Sequence, residues 1–454
     1  MPPDPSASAS LSMPPEPAWL VPLRRFARHE LSGAGVLLLA TVAGLVWANS
    51  PWSASYQAWL HLEVTAGVGP LVLRKSLLHF INDGLMGLFF FVVGLEIKRE
   101  VLVGELASAR KAALPALAAV GGMVVPALVY LAINPSGPAR VGWGVPMATD
   151  IAFALGVLAV LGRRVPPGLK VLLTALAIVD DIGAVLVIAV FYTEQIAVGS
   201  LLFGLAGVVV ALGMSRAGVR NAVAYFLVGT VVWLAFLKSG VHATLAALLM
   251  AFTIPARTRV EGRKVVARLR AAADRLERVG VPKGLGLNTH PQQDVLDDVA
   301  ELHEAATAPL QELEHALVPV VTFLVLPLFA LANAGVSLGG GEAAGGLGGA
   351  GLGIVLGLVA GKPLGIAGMA VLAVRAKVAD LPPGVTGRHL VGVGLLGGIG
   401  FTMALFIAGL AFPDPARLAS AKVAILLASA LAAALALAVL WRGGPATADL
   451  PRAP

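Results

Sequence analysis

LAIVDDIGAVLVIAV, residues 176–190, is apolar or small at every position except two adjacent acids, Asp180 and Asp181. The run continues on both sides from Lys170 to Phe191. A helix of about 20 such residues crosses a hydrocarbon core about 30 Å thick, and in lipid the backbone must satisfy its own polar groups. A carboxylate at that depth costs about 2.5–3.5 kcal/mol on insertion scales, so each acid needs a partner or a task. The string therefore reads as a membrane span built around chemistry.

The rest of the chain agrees. Of its 454 residues 57% are hydrophobic and 13% charged, and the mean hydropathy is +0.86. A soluble domain of this size does not have that balance. Apolar segments of span length start near residues 33, 77, 112, 147, 170, 199, 220, 241, 317, 352, 389 and 421, about twelve in all. The fold class expected is an all-α polytopic membrane protein with about twelve transmembrane helices.

The net charge of +7 does not point to nucleic acid, because the basic residues sit in short segments between spans instead of on one face. Arg24, Arg25 and Arg28, then Lys98, Arg99, Arg110 and Lys111, then Arg163, Arg164 and Lys170 mark alternate loops. Arg216 and Arg220, and Arg375, Lys377 and Arg388, continue the series. By the positive-inside rule both termini are cytoplasmic, whereas Arg74, Lys75, Arg417 and Lys422 fall on the expected outer side against the trend. The chain has no cysteine, which removes disulfides and thiolate metal sites.

The expected organisation has five parts. Residues 1–28 form a disordered cytoplasmic N-terminus, rich in Pro and Ser and without the order of a cleavable signal. Residues 29–255 hold spans one to eight, residues 256–313 a cytoplasmic polar insertion, residues 314–442 spans nine to twelve, and residues 443–454 a cytoplasmic tail. Residues 60–73 (LHLEVTAGVGPLVL) alternate around a Gly-Pro turn and read as an external β-hairpin or an ordered loop. A free hairpin edge suits pairing with a second copy, which makes a homodimer an expectation. The insertion joins a basic stretch, RKVVARLRAAADRLERV (263–279), to an acidic one, DVLDDVAELHEA (294–305). It reads as a solvated helical hairpin, with an interfacial or regulatory role as the alternative. Residues 339–353 read as a flexible external Gly-rich loop.

With that topology spans three to five begin inside and spans ten to twelve begin outside, the inverted-repeat arrangement of secondary transporters. The middle spans of both units are interrupted, at GVPMATD (144–150) and GGIGFTM (397–403). Two discontinuous helices that cross near mid-membrane are expected, with the binding site between them.

Four buried charges follow: Asp150, Asp180, Asp181 and Lys362, the last in LVAGKPLGIAG. Consecutive helical residues point about 100° apart, so one of the paired acids can face a cavity while the other meets a neighbouring helix. A carboxylate in a cavity offers hard oxygen ligands to a small cation and takes a proton when the cation leaves. A Lys362–Asp180 bridge that opens with protonation is one expectation; a permanent bridge is the other. Thr149 and Asp150 stand at the first helix break, where the acid can offset helix-end dipoles or act simply as a cap.

Taken together these strings resemble the NhaA-type sodium/proton antiporters, a family known for inverted repeats. The likeness runs from about Gly33 to Trp441. It includes FINDGLMGLFFFVVGLEIKRE (80–100), MATDIAFALGVLAVLGRRVP (147–166), ALAIVDDIGAVLVIAVFYT (175–193), SGVHATLA (239–246), LPLFALANAGVSL (326–338), GKPLGI (361–366) and GGIGFTMALFIA (397–408).

The resemblance implies an electrogenic exchanger of the bacterial inner membrane that exports sodium or lithium and imports protons, with no cofactor beyond the transported ions. It implies roles in pH and sodium homeostasis. Asp181 matches the family's principal cation ligand, Asp180 its neighbouring acid paired with Lys362, and Thr149 and Asp150 the crossing of the broken helices. Glu96, Lys98, Arg99 and Glu100, with Glu314 and His315, resemble the family's cytoplasmic pH-sensing cluster, for which ordinary helix-end charges are the alternative. His242 matches a position associated with pH response, or is a packed, hydrogen-bonded histidine; Asp83 matches a further family acid. The chain departs from the family in a longer polar insertion and in Gln311 and Val318, which stand where basic or His residues are frequent.

Rival functions fit less well. An intramembrane aspartyl protease needs acids facing each other from separate helices, and would leave Lys362 without a duty. An ATP-driven pump is excluded by LGLVAGKPL (356–364), which lacks the first glycine and the Ser/Thr of a phosphate loop. A proton/potassium exchanger remains open, since sequence does not give the size of an oxygen site.

Overall fold

The computed structural model describes residues 30–68, 71–193, 196–280, 288–337 and 348–442. Among them, 10 helices are long and apolar enough to cross a membrane, and the pair Gly387–Gly397 and Phe401–Ala411, bent by 45°, makes an eleventh span. The chain is thus an all-α polytopic membrane protein. The twelfth expected span is Ala243–Thr253, whose 11 residues rise only about 16 Å. It is held short at both ends: Gly240, at φ +82°, closes the preceding helix, and Pro255 bars continuation beyond Ile254.

Two three-span units face each other. The first is Ala109–Ile133, Arg140–Leu161 and Pro167–Phe191; the second is Gly348–Arg375, the bent pair 387–411, and Pro415–Trp441. Each carries its break in the middle span. The first half of either broken span packs on the second half of the other, as two oppositely directed spans must. The units meet most closely at Ala109–Ile133 and Lys362–Arg375. A Cβ on Gly121 would strike the carbonyl oxygen of Gly365, and one on Gly365 that of Gly121, so both positions must be glycine for the backbones to come this near.

The expected hairpin is present but displaced. Glu63–Val68 runs antiparallel to Leu71–Ser76, with Glu63 opposite Ser76 and Val68 opposite Leu71. It begins later than residue 60 because Leu60 ends the helix Ser53–Leu60, whose buried Tyr56 donates to the carbonyls of Leu331 and Ala332 at 2.8 and 3.0 Å. The insertion forms two helices, Gly262–Val279 and His290–Ala306, packed on each other and joined by an Arg275–Asp298 ion pair. The next helix begins at Pro309, the favoured first-turn position for proline, so its first turn falls inside the expected insertion. Of the Gly-rich stretch, residues 348–353 are helical in Gly348–Leu356. The expectations for residues 1–28 and 443–454 lie outside the described residues.

Candidate ion-binding site

The two broken spans meet at their unwound centres. Residues 140–147 form a 3-10 stretch containing Pro146, the chain is extended through residues 148–150, and an α-helix resumes at Ile151. In the second span Gly397–Gly398 ends one helix and Gly400 precedes the next. Asp150 N–H donates to the Ile399 carbonyl at 2.7 Å, and the Thr149 hydroxyl donates to the Gly397 carbonyl at 2.9 Å.

Asp150 caps two helices at once. Its Oδ1 accepts from Phe153 N–H at 2.9 Å, in its own helix Ile151–Leu161. Its Oδ2 accepts from Thr402 N–H at 3.1 Å and from the Thr402 hydroxyl, at the start of Phe401–Ala411. Two helix N-termini, each carrying about half a positive charge, thus converge on one carboxylate.

Lys362 complements this from the other side. Its side chain is 0% exposed, and Nζ donates to Asp180 Oδ2 at 2.7 Å and to the carbonyl of Met147, the last residue of the 3-10 half-span. A cation at the carbonyl end of a helix is the favourable polarity. The preceding turn, Gly357–Gly361, is a π-turn, and Pro363 follows; such turns relieve a helix where a side chain must be re-aimed. Glycines line the slot for the lysine stem. A Cβ on Gly122 would lie 3.8 Å from Lys362 Cε, and one on Gly397 3.9 Å.

Asp180 Oδ1 is buried with no hydrogen-bond partner among the described residues. Asp181, one position on and 3% exposed, makes no hydrogen bond or ion pair with any described residue. It stands within electrostatic range of Asp180, Glu96, Asp150 and Lys362. The buried charged side chains among the described residues are Asp150, Asp180, Asp181 and Lys362, three carboxylates against one ammonium. Asp150 is offset by helix ends and Asp180 by Lys362. Asp181 has neither a helix end nor an ion-pair partner among the described residues, only the more distant charge of Lys362.

A second cluster surrounds Arg99. Its guanidinium lies 3.9 Å from Glu96, 3.1 Å from Glu100 and 3.4 Å from Glu314, beside a cavity of about 440 Å³ that Arg257 and Gln311 also line. Glu100 additionally accepts from Glu105 N–H at 3.0 Å. Lys98 turns away and donates to the carbonyls of Phe252 and Ile254, capping the end of Ala243–Thr253. His315 is exposed beside Glu314. His242 lies at the opposite end of Ala243–Thr253, its Nδ1 2.9 Å from the Thr244 hydroxyl and its ring edge-on to Phe406 at 5.2 Å. The structure therefore gathers Glu96, Glu100 and Glu314 on Arg99 but not Lys98 or His242. Asp83 lies in a separate π-turn, Phe80–Leu85, near Lys75 and His79.

Two contributors are hidden inside strings the sequence singles out: the Met147 carbonyl in GVPMATD and Thr402 in GGIGFTM. A hydroxyl directly after a glycine-marked break is a signal for Thr402. Nothing in the sequence marks which carbonyl Lys362 reaches.

Residues 24–440 match the family described as Na+/H+ antiporter 1. The chain is 49% identical over 434 residues to "Na(+)/H(+) antiporter NhaA" of Koribacter versatilis, covering 96% of this chain and 94% of that one. It is 51% identical over 413 residues to the protein of the same name from Oleidesulfovibrio alaskensis, covering 91% and 92%. With the one from Acidithiobacillus ferrooxidans it shares 48% over 434 residues, covering 95% and 100%. A more distant likeness is to the solved structure of the sodium proton antiporter MjNhaP1 from Methanocaldococcus jannaschii, with a TM-score of 0.47 and 12% identity, covering 94% and 99%.

Proposed function

The chain belongs to the Na+/H+ antiporter 1 family, and from that premise we propose that it is a secondary transporter, not an enzyme, exchanging sodium for protons with Asp181 as the principal cation site. The single observation that carries the choice of Asp181 is its isolation: a buried carboxylate with neither ion pair nor hydrogen bond to any described residue. Such a group is stabilised by binding a cation or a proton, and each displaces the other.

Asp180 and Lys362 form the second proton store. When sodium sits on Asp181, Asp180 Oδ1, which has no hydrogen-bond partner among the described residues, is the adjacent oxygen for it. Weakening the Lys362 link then lets the pair give up a proton, and two protons for one sodium make the exchange electrogenic. Hard oxygen ligands accept lithium by the same chemistry. Thr149 and Asp150 hold the crossing in register while the halves of the broken spans tilt, giving access from each side in turn. Glu96, Glu100 and Glu314 around Arg99 form a charge cluster whose protonation state adjusts activity with pH, within electrostatic reach of Asp181 through Glu96.

The setting is the bacterial inner membrane, in keeping with the family, and the basic loops support a cytoplasmic placement of both termini. A second copy pairs through the hairpin 63–76, whose two strands each have one partner in the described structure. Purified protein in liposomes tests the core of this scheme. Sodium or lithium added to a vesicle with an imposed proton gradient releases protons, faster under a membrane potential of the right sign, and Asp181→Asn removes the response. Proton-free sodium flux, or full exchange by Asp181→Asn, would refute it.

A further inference from the structure

The helix Phe401–Ala411 starts after Gly400, which has no side chain to cap it. Its first N–H groups are buried at the crossing and must find acceptors elsewhere. Thr402 N–H has Asp150 Oδ2. Phe401 N–H has the hydroxyl oxygen of Ser429, at 3.1 Å, reached from the last span, Pro415–Trp441.

Ser429 is 5% exposed, and from Val423 to Leu440 it is the only polar side chain. Its neighbours are alanine and leucine, so helix formation and packing there do not call for a hydroxyl. Its oxygen meets a specific unsatisfied donor, and the helix end it meets is one of the two that converge on Asp150.

We propose that Ser429 is a positioning residue for ion exchange: it caps the second broken span from outside, and so fixes where the Asp150 carboxylate sits and how much of that helix's positive end it must neutralise. This rests on the crossing being the ion site. Without the Ser429 oxygen, Phe401 N–H is left to compete for Asp150 Oδ2, which already accepts two bonds from the adjacent residue Thr402. The carboxylate is then drawn toward Phe401–Ala411 and away from Phe153, and the crossing shifts against Thr149, Asp180 and Lys362. The polarity of the site changes although no ligand has been removed.

Four proteins in liposomes decide the matter: the parent, Ser429→Ala, Ser429→Thr and Asp181→Asn. Alanine suits this helix, so Ser429→Ala is expected to insert and fold; if it fails to reach the membrane, Ser429→Cys, of similar size and a poor acceptor, takes its place with the same expectations. Losing the cap is expected to raise the sodium concentration for half-maximal exchange by roughly five- to thirtyfold, to displace the pH profile, and to leave the maximal rate less affected. Ser429→Thr, which keeps the oxygen, restores both. If Ser429→Ala keeps the parent's sodium dependence and pH profile while Asp181→Asn is inactive, or if Ser429→Thr is as impaired as Ser429→Ala, Ser429 has no positioning role. If Asp181→Asn exchanges normally, the ion-site assignment falls and takes this proposal with it.

Discussion

Lys362 Nζ and Asp180 Oδ2 lie 2.7 Å apart with both side chains sealed from solvent, at 0% and 1% exposure, and the same ammonium also holds the Met147 carbonyl. One lysine therefore joins three spans: its own, the first broken span and the span of the paired acids. The pairing is electrostatically necessary in the resting protein, because either charge alone would be stranded in a medium that cannot solvate it.

Removing one partner should thus cost more than removing both. Lys362→Ala is expected to destabilise by about 3–5 kcal/mol, and Lys362→Ala with Asp180→Ala by much less. Thermal unfolding of the purified proteins in detergent gives the comparison, and equal losses for the single and double variants would argue that the bridge is not what holds these spans.

Asp181→Asn should move stability the other way. The substitution removes a buried charge that has no hydrogen bond or ion pair with a described residue to lose, so the unfolding temperature is expected to stay level or rise while sodium-driven proton release in vesicles disappears. A marked fall in unfolding temperature would mean that Asp181 has a structural partner.

Asp150 serves donors from two helices, so the kind of replacement matters. Ala leaves Phe153 N–H and Thr402 N–H both without an acceptor, whereas Asn keeps one carbonyl oxygen. Asp150→Ala should lower stability by about 1–4 kcal/mol, the sum of two lost caps, and Asp150→Asn by roughly half as much. Indistinguishable unfolding temperatures for the two variants would remove the double-cap account.

Tyr56, on the helix outside the spans, links stability to alkaline pH. Burial pushes its phenol up from 10 to about 12, partly offset by the Gly335 backbone. Since the fold favours the neutral form, this stabilisation is complete below pH 10 and is lost as the pH climbs from about 10 toward 12. Tyr56→Phe should lack that loss, at the expense of about 1–3 kcal/mol near neutrality for the unpaired Leu331 and Ala332 carbonyls. Stability curves for the two proteins between pH 8 and 12 that run parallel would count against it.

Much of the architecture is legible in the sequence because lipid simplifies the code: span-length apolar runs become helices, and the breaks at GVPMATD and GGIGFTM stand at corresponding places in two units. Ala243–Thr253 defeats that rule because apolar composition carries on across Gly240, while backbone geometry decides where a helix stops. The charge at Lys362 and the acids at Asp180 and Asp181 announce themselves by their cost in lipid. Their partners are less visible. The Met147 carbonyl, the Gly122 and Gly397 slot and the second cap at Thr402 depend on three-dimensional registration between distant spans. Lys98 shows the same limit, sitting among the Glu96–Glu100 charges in sequence yet bonded to main-chain oxygens of another helix.

The unwound centres at residues 148–150 and 398–400 divide the molecule mechanically. An unbroken helix transmits a push along its whole axis as a stiff rod. Here two rods are cut at a shared level and stitched by a few bonds among Thr149, Asp150, Gly397, Ile399 and Thr402, so one half can pivot without unwinding any turn. Rigidity is kept in the intact helices of both units, and compliance is concentrated at the very layer that holds the unsolvated charges.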